Sequence, residues 1–439
     1  MSQSLAKDFN FRSLLKFAFP SIIMMIFMSL YSIVDGFFIA QYVDSMALSA
    51  ANIVYPAVSI LLAVGIMFGT GGSAVVAAKI GQGKQEEANR NFSALTLTTL
   101  IIGILGAVLG NLFCRQICSL LGATPVLMDY GTAYLRTILF FAPVCLLQAL
   151  FQSFFVTAGR PGLGLSLTVS AGITNMLLDY LFVVPLHLGV AGAALAGILY
   201  FTFARKGLRF TRPEFSKGLL STSCFNGSSE MVSNLSAAVV TYLFNMLMLK
   251  FEGEIGVAAI TAILYGQFLF VALYLGYSIG VAPVFSFNYG SRNKQRLIRL
   301  YRISIRFVVV SSVIIALVAA FGSPVISAVF MQKGTYGFEL TRHGGYLFSI
   351  AYLFCGTNIV ASGIFTALSD GKTSALISFL RTFVFIVLSA LLLPLVLGTN
   401  GVWLSIPVAE FLTLFISVPK LSRYFKDPKV APETQTSPN

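Results

Sequence analysis

The sequence predicts an all-α membrane protein of twelve transmembrane helices arranged as two parallel six-helix repeats. Three observations predict it. Of 439 residues, 57% are hydrophobic and 10% charged, with a mean hydropathy of +0.86. Crossing a bilayer takes about 20 consecutive apolar residues per helix, and the chain offers twelve such windows. The second half of the chain also repeats the first.

Taken in order, the expected spans are 13–41, 50–79, 91–121, 125–158, 162–187, 190–204, 218–249, 255–287, 303–330, 343–369, 373–396 and 401–424. Several exceed the length needed to cross, which implies tilt or extension beyond the lipid. The leading MSQSLAKDFNFRSLLKF lacks a signal-peptide cleavage pattern and reads as a cytoplasmic tail feeding helix one. GQGKQEEA and NYGSRNKQRL each end a long helix and open a charged one, while AGRPG and SDGKT close helices four and ten. Pro20, Pro56, Pro143 and Pro283 fall inside spans, as kinks that neighbouring helices tolerate in lipid. The five cysteines lie in or beside apolar segments and read as small apolar residues.

Residues 35–92 fall on 244–301 when shifted by 209. Gly71 then meets Gly280, Gly81 meets Gly290, and Arg90 meets Arg299. FQSFFVTAGRPGLGLSL matches ASGIFTALSDGKTSALI at an offset of about 210. The expected organisation is therefore an N-terminal lobe over 1–204, a basic cytoplasmic linker over 205–217, a C-terminal lobe over 218–424 and a cytoplasmic tail over 425–439. An even number of spans per half gives both halves the same orientation, an arrangement that transporters use.

The net charge of +13 does not indicate nucleic-acid binding, because of where the charge sits. With twelve spans and an inner N-terminus, Lys and Arg sort to the cytoplasmic side. The exceptions are Arg115, Lys250, Lys333 and Arg342 outside, and Arg136 and Arg381 within helices. That is the positive-inside bias of a multi-pass cell-membrane protein with both termini cytoplasmic. The basic clusters at 205–217 and 292–306 also suit anionic headgroups of the bilayer.

Against this background, three carboxylates stand out: Asp35 in LYSIVDGFFIA, Asp179 in ITNMLLDYLFVV and Glu230 in NGSSEMVSNLSAAVV. A carboxylate at membrane depth costs roughly 2.5–3.5 kcal/mol on insertion scales, so it is kept where it faces a partner, a cavity or a permeant. Asn175 and Asp179 share one helix face, as do Tyr31 and Asp35. If helices one and five face each other, two carboxylates, an amide and a phenol converge. Such a pair can hold a proton, because two close carboxylates do not both ionise cheaply; the same oxygens can ligate Na⁺. Tyr31 can also stack on a flat cation. Helix seven carries a polar stripe of Glu230, Asn234, Thr241 and Asn245, to which Gln267, Tyr274, Tyr277 and Asn288 on helix eight add cavity candidates. Glu230 has two readings, attraction of a cation or interhelical hydrogen bonding. Arg381 and Glu410, on helices eleven and twelve, are expected to form a structural ion pair.

YSIVDGFFIAQYVDSMALSAANIVYP, GTGGSAVVAAKIGQGKQEEANRNF and NMLLDYLFV, with the matching second half, resemble the MATE (multidrug and toxic compound extrusion) transporters over about 13–424. The resemblance implies two six-helix lobes and export of organic, often cationic and aromatic compounds against H⁺ or Na⁺. It implies an N-lobe ion site at Asp35, Asn175 and Asp179, and a helix-seven glutamate at Glu230. Two departures matter. Helix six is short, from Val190 to Ala204, with Gly197 where relatives often place a threonine. Helix ten has no carboxylate in its middle, which weakens a C-lobe cation site.

The expected activity is thus secondary active antiport of small organic molecules by a monomer, with no cofactor beyond the coupling ion and no dedicated metal site. No GxxxxGK[ST] or HExxH occurs, so neither an ATP site nor a metalloprotease helix is encoded. A lipid-linked precursor flippase of related architecture would need a basic cavity. A membrane-embedded sensor or enzyme would need a catalytic cluster or a signalling domain.

Overall fold

A computed structural model describes residues 5–42, 45–121, 123, 125–182, 188–204 and 207–426. At 31–42, 45–53, 55, 126, 175–182, 188–194, 196 and 238 the description is of backbone alone. The described residues are nearly all helical: α1 (Phe11–Tyr42), α2 (Ser45–Gly81), α3 (Gln85–Leu112), the short α4 (Cys114–Leu120), α5 (Pro125–Thr157), α6 (Pro161–Phe182) and α7 (Leu188–Phe203). Then come α8 (Leu219–Gly290), α9 (Lys294–Phe330), α10 (Tyr336–Ser349), α11 (Tyr352–Ala367), α12 (Gly371–Phe379), a π-helical turn (Leu380–Val384), α13 (Phe385–Leu397) and α14 (Thr399–Lys426).

Eight of these helices are long and apolar enough to cross a membrane, and α10 with α11 makes a ninth span bent by 52°. The 72 residues of α8 would reach about 108 Å at 1.5 Å per residue, several times the hydrocarbon thickness. Gly253 divides it: φ 64° and ψ −153° are backbone angles that only glycine adopts without strain. Helices seven and eight, expected as separate spans, are therefore two arms of one broken helix. With α6 and α7 the described residues hold twelve helical spans. At 16 residues α7 remains the short one.

The packing is inverted relative to a water-soluble protein. Along α9, Val309, Val313, Leu317 and Phe321 are exposed, Phe321 by 80%, while Ser304, Ser311, Ser312, Ser323 and Ser327 are buried. Hydrocarbon accepts the apolar face, and the hydroxyls find carbonyl or side-chain partners inside. Ser327, for example, donates to the Ser323 carbonyl at 2.9 Å.

The turns at 82–84 and 291–293, with the segment 207–218, gather at one end, here called the basic end. There α2 packs along α8, and the duplication becomes geometry. A Cβ on Gly81 would overlap the Phe287 carbonyl oxygen, and one on Gly290 would overlap the Ala78 carbonyl oxygen. Ala78 and Phe287 are 209 apart, as are Gly81 and Gly290, so one contact is the image of the other. A second image pair joins Gly71 to Gly227 and Gly280 to Ala18. This is the self-complementary contact a two-fold axis produces. The segment before α8 is tied to α3, where Thr211 N donates to Ser93 Oγ at 2.9 Å and Arg90 pairs with Glu214. The segment before α1 is tied to α9, where Arg296 pairs with Asp8 at 2.8 Å and donates to the Ala6 carbonyl.

Candidate cation and cargo site

The side chains of Tyr31, Asp35, Asn175 and Asp179 lie outside the described residues; their helices do not. α1 and α6 pack together, and Gly172 sits against the Phe27 ring. Both helices run away from the basic end. Asp35 is eight residues beyond Phe27 and Asp179 seven beyond Gly172, placing them at about 12 and 10.5 Å past that contact. The two aspartates thus occupy nearly one depth on neighbouring helices.

The helix-seven stripe has a definable direction. At 100° per residue, Gly227, Asn234 and Asn245 fall within about 20° of one azimuth, with Glu230 and Thr241 within about 60°. Gly227 touches the Met67 backbone of α2, so this face looks toward the other repeat. Glu230 is partly exposed, and no hydrogen bond or ion pair to its carboxylate occurs among the described residues. Asn234 turns its amide inward to the Glu230 carbonyl at 2.8 Å. Asn245 Oδ1 is buried without a partner. Thr241 is exposed and Gln267 half-buried.

Three helix-eight residues are buried in the packing. Tyr274 donates to Ser312 Oγ at 3.3 Å and Tyr277 to Ser304 Oγ at 2.9 Å, while Asn288 donates to the Val284 carbonyl. All three are buried: the two tyrosine hydroxyls bond across to α9, and the Asn288 amide nitrogen bonds within α8 while its Oδ1 has no partner among the described residues. Helix eight is apolar all round, and periodicity alone does not tell which face turns inward.

The second repeat holds a buried charged group. Arg381, in the π-helical turn, places Nε 3.1 Å from Glu410 Oε1. Asn358 donates to Glu410 Oε2 at 2.7 Å and to the Glu410 carbonyl at 2.8 Å, and accepts from Ser417 at 2.6 Å. Asn358 lies in the middle of the helix-ten span, which carries no carboxylate there, and it supports Glu410.

Beside this group runs a hydroxyl chain that the sequence reading missed. Ser229 meets Thr366 at 3.4 Å, Thr366 meets Ser374 at 2.7 Å, Ser374 meets Ser362 at 2.8 Å, and Ser362 meets Ser378 at 2.9 Å. Its signal was present as Asn358, Ser362 and Thr366, spaced four apart on one helix face.

The MatE family profile matches residues 20–181 and 231–391, once per repeat. The multidrug export protein MepA of Staphylococcus haemolyticus is 24% identical over 438 residues, covering 93% of this chain and 92% of that protein. MepA of Staphylococcus aureus strain MRSA252 is 22% identical, covering 92% and 91%. Among solved structures, the outward-facing conformation of a multidrug resistance MATE family transporter of the MOP superfamily superposes with a TM-score of 0.87 at 20% identity, covering 96% of this chain and 97% of that one. A MATE in complex with MaL6 gives 0.86 at 20% identity, covering 96% and 98%. The chain belongs to the MatE family of multi-pass membrane transporters.

Proposed function

We propose that the protein exports organic cations from the cell by antiport against H⁺ or Na⁺, with the basic end in the cytoplasm. One observation carries the reading: at membrane depth, carboxylates outnumber guanidinium groups. Asp35, Asp179, Glu230 and Glu410 are set against Arg381, which Glu410 already engages, and Arg136, which lies toward an outer helix end. The remaining negative charge needs a cation, and a proton, Na⁺ or cationic cargo each supplies one. Occupancy by one excludes another, so loading of the ion from outside releases cargo, and exchange follows from linkage. The same charge excess disfavours a flippase for pyrophosphate-linked lipids. The MepA proteins, named as multidrug exporters, support export as the direction. The closed backbone contact at Gly81 and Gly290 supports reading this arrangement as shut toward the cytoplasm.

The test is efflux of ethidium from proteoliposomes under a pH gradient and a Na⁺ gradient imposed separately. One of them drives efflux in the unaltered protein, and Asp35→Asn abolishes that coupling while inserting normally. Coupled efflux at the unaltered rate in Asp35→Asn removes Asp35 from the mechanism.

A further inference from the structure

The buried charges of the second repeat are unevenly held. Glu410 is pinned: Arg381 faces one oxygen, Asn358 donates to the other, and Ser417 fixes Asn358 in turn. Arg381 is loose by comparison. A guanidinium carries five donors, yet no hydrogen bond from Arg381 occurs among the described residues. Its Nε, although buried and 3.1 Å from Glu410 Oε1, lacks the alignment for one. Its side chain is 16% exposed against 4% for Glu410. It also sits in the one π-helical turn of the described chain, a geometry that inserts a residue and re-aims the side chains around it.

A second carboxylate lies on a helix packed against the same turn. α8 packs against α12 and the π turn, and the hydroxyl chain that starts at Ser229, beside Glu230, ends at Ser378, one helical turn before Arg381. Glu230 is the opposite of Glu410: partly exposed, on the face turned toward the other repeat, and without a hydrogen-bond partner. An anchored carboxylate and an open one thus lie on two helices that both pack against the turn carrying one guanidinium. If it paired with Glu230, it would neutralise the open carboxylate and exclude a second cation.

We propose that Glu410 is a positioning residue that holds the Arg381 guanidinium off Glu230, keeping Glu230 free for an organic cation. The inference rests on reading Glu230 as a cargo carboxylate. Arg381 is then a built-in competitor, and the Asn358–Ser417 support of Glu410 sets how firmly it is restrained. An ion pair with a structural role only gives no reason for cation affinity to recover when both partners are removed.

The test is ethidium binding to the purified full-length protein, followed by fluorescence anisotropy, with thermal unfolding as the control for folding. Glu410→Gln is expected to weaken binding by about tenfold or more, because the released guanidinium takes Glu230. Arg381→Gln combined with Glu410→Gln is expected to restore binding to within about threefold of the unaltered protein. Arg381→Gln alone is expected to bind ethidium at least as tightly as the unaltered protein, which keeps the test decisive should Glu410→Gln fail to fold. Unaltered binding in folded Glu410→Gln, a double variant as weak as Glu410→Gln, or weakened binding in folded Arg381→Gln each overturns the proposal. Unaltered binding in Glu230→Gln instead overturns the cargo role of Glu230, whatever the other variants do.

Discussion

Individual side chains divide between those that satisfy the fold and those left open. Tyr274 and Tyr277 look functional as letters, yet each spends its hydroxyl on a neighbouring serine of α9. Glu230 has no such partner among the described residues, which is why the proposed cargo role falls to it. Cys114 shows the opposite extreme. It lies buried in the short α4, between the spans formed by α3 and α5, and burial pushes its thiol up to about 11. The raised value means the neutral thiol is the form the fold favours. That contribution is complete below the ordinary value of 9.0 and is lost as pH rises through the folded-state value. Cys114 should therefore resist maleimide or iodoacetamide in the folded protein at neutral pH, as read by intact-mass spectrometry, and label readily once the protein is unfolded. Rapid labelling of the native protein would show that the site is open.

The elements were legible in the sequence to different degrees. Apolar windows located the spans, and the offset of 209 foretold that Gly81 and Gly290 are equivalent. That each packs against the backbone of the other's helix, Gly81 at Phe287 and Gly290 at Ala78, emerged only with the three-dimensional packing. The consequence is steric. Gly81→Val would drive a branched side chain into the Phe287 carbonyl, where neither backbone has room to yield. The basic end should then fail to close. Spin labels on Gln85→Cys and Gln295→Cys, in a background without other cysteines, should report longer distances than in the parent; an unchanged distribution would contradict the contact. The α9 start offers a milder test. Asn293 accepts from the Arg296 amide at 3.0 Å, and Asn293→Ala should cost about 1 kcal/mol of stability in reversible unfolding. The break at Gly253 was half legible, since a gap between two apolar windows does not distinguish a loop from a broken helix. The π turn was not legible at all. Its signature is a one-residue insertion in the hydrogen-bond ladder, and LRTFV carries no residue that requires it. The Ser362, Ser374 and Ser378 chain was hidden because serine in a membrane helix more often bonds its own preceding carbonyl.

At the scale of the whole molecule, two copies of one bundle meet through a shared axis while their polar interiors have diverged. Asp35 in the first repeat falls on Phe244 in the second, which is fully buried, and Glu230 falls on Ser21. The duplication preserved the backbone seam and not the charges, so the carboxylates of the two repeats are not equivalent. An exporter built this way needs the ion and the cargo to exclude one another. The most direct measurement is the affinity of the purified protein for ethidium as a function of pH and Na⁺ concentration. Competition predicts that affinity falls as protons or Na⁺ are added, and that this dependence is lost in Asp35→Asn combined with Asp179→Asn. An affinity indifferent to both ions would contradict the account, since cargo and coupling ion would then occupy independent sites.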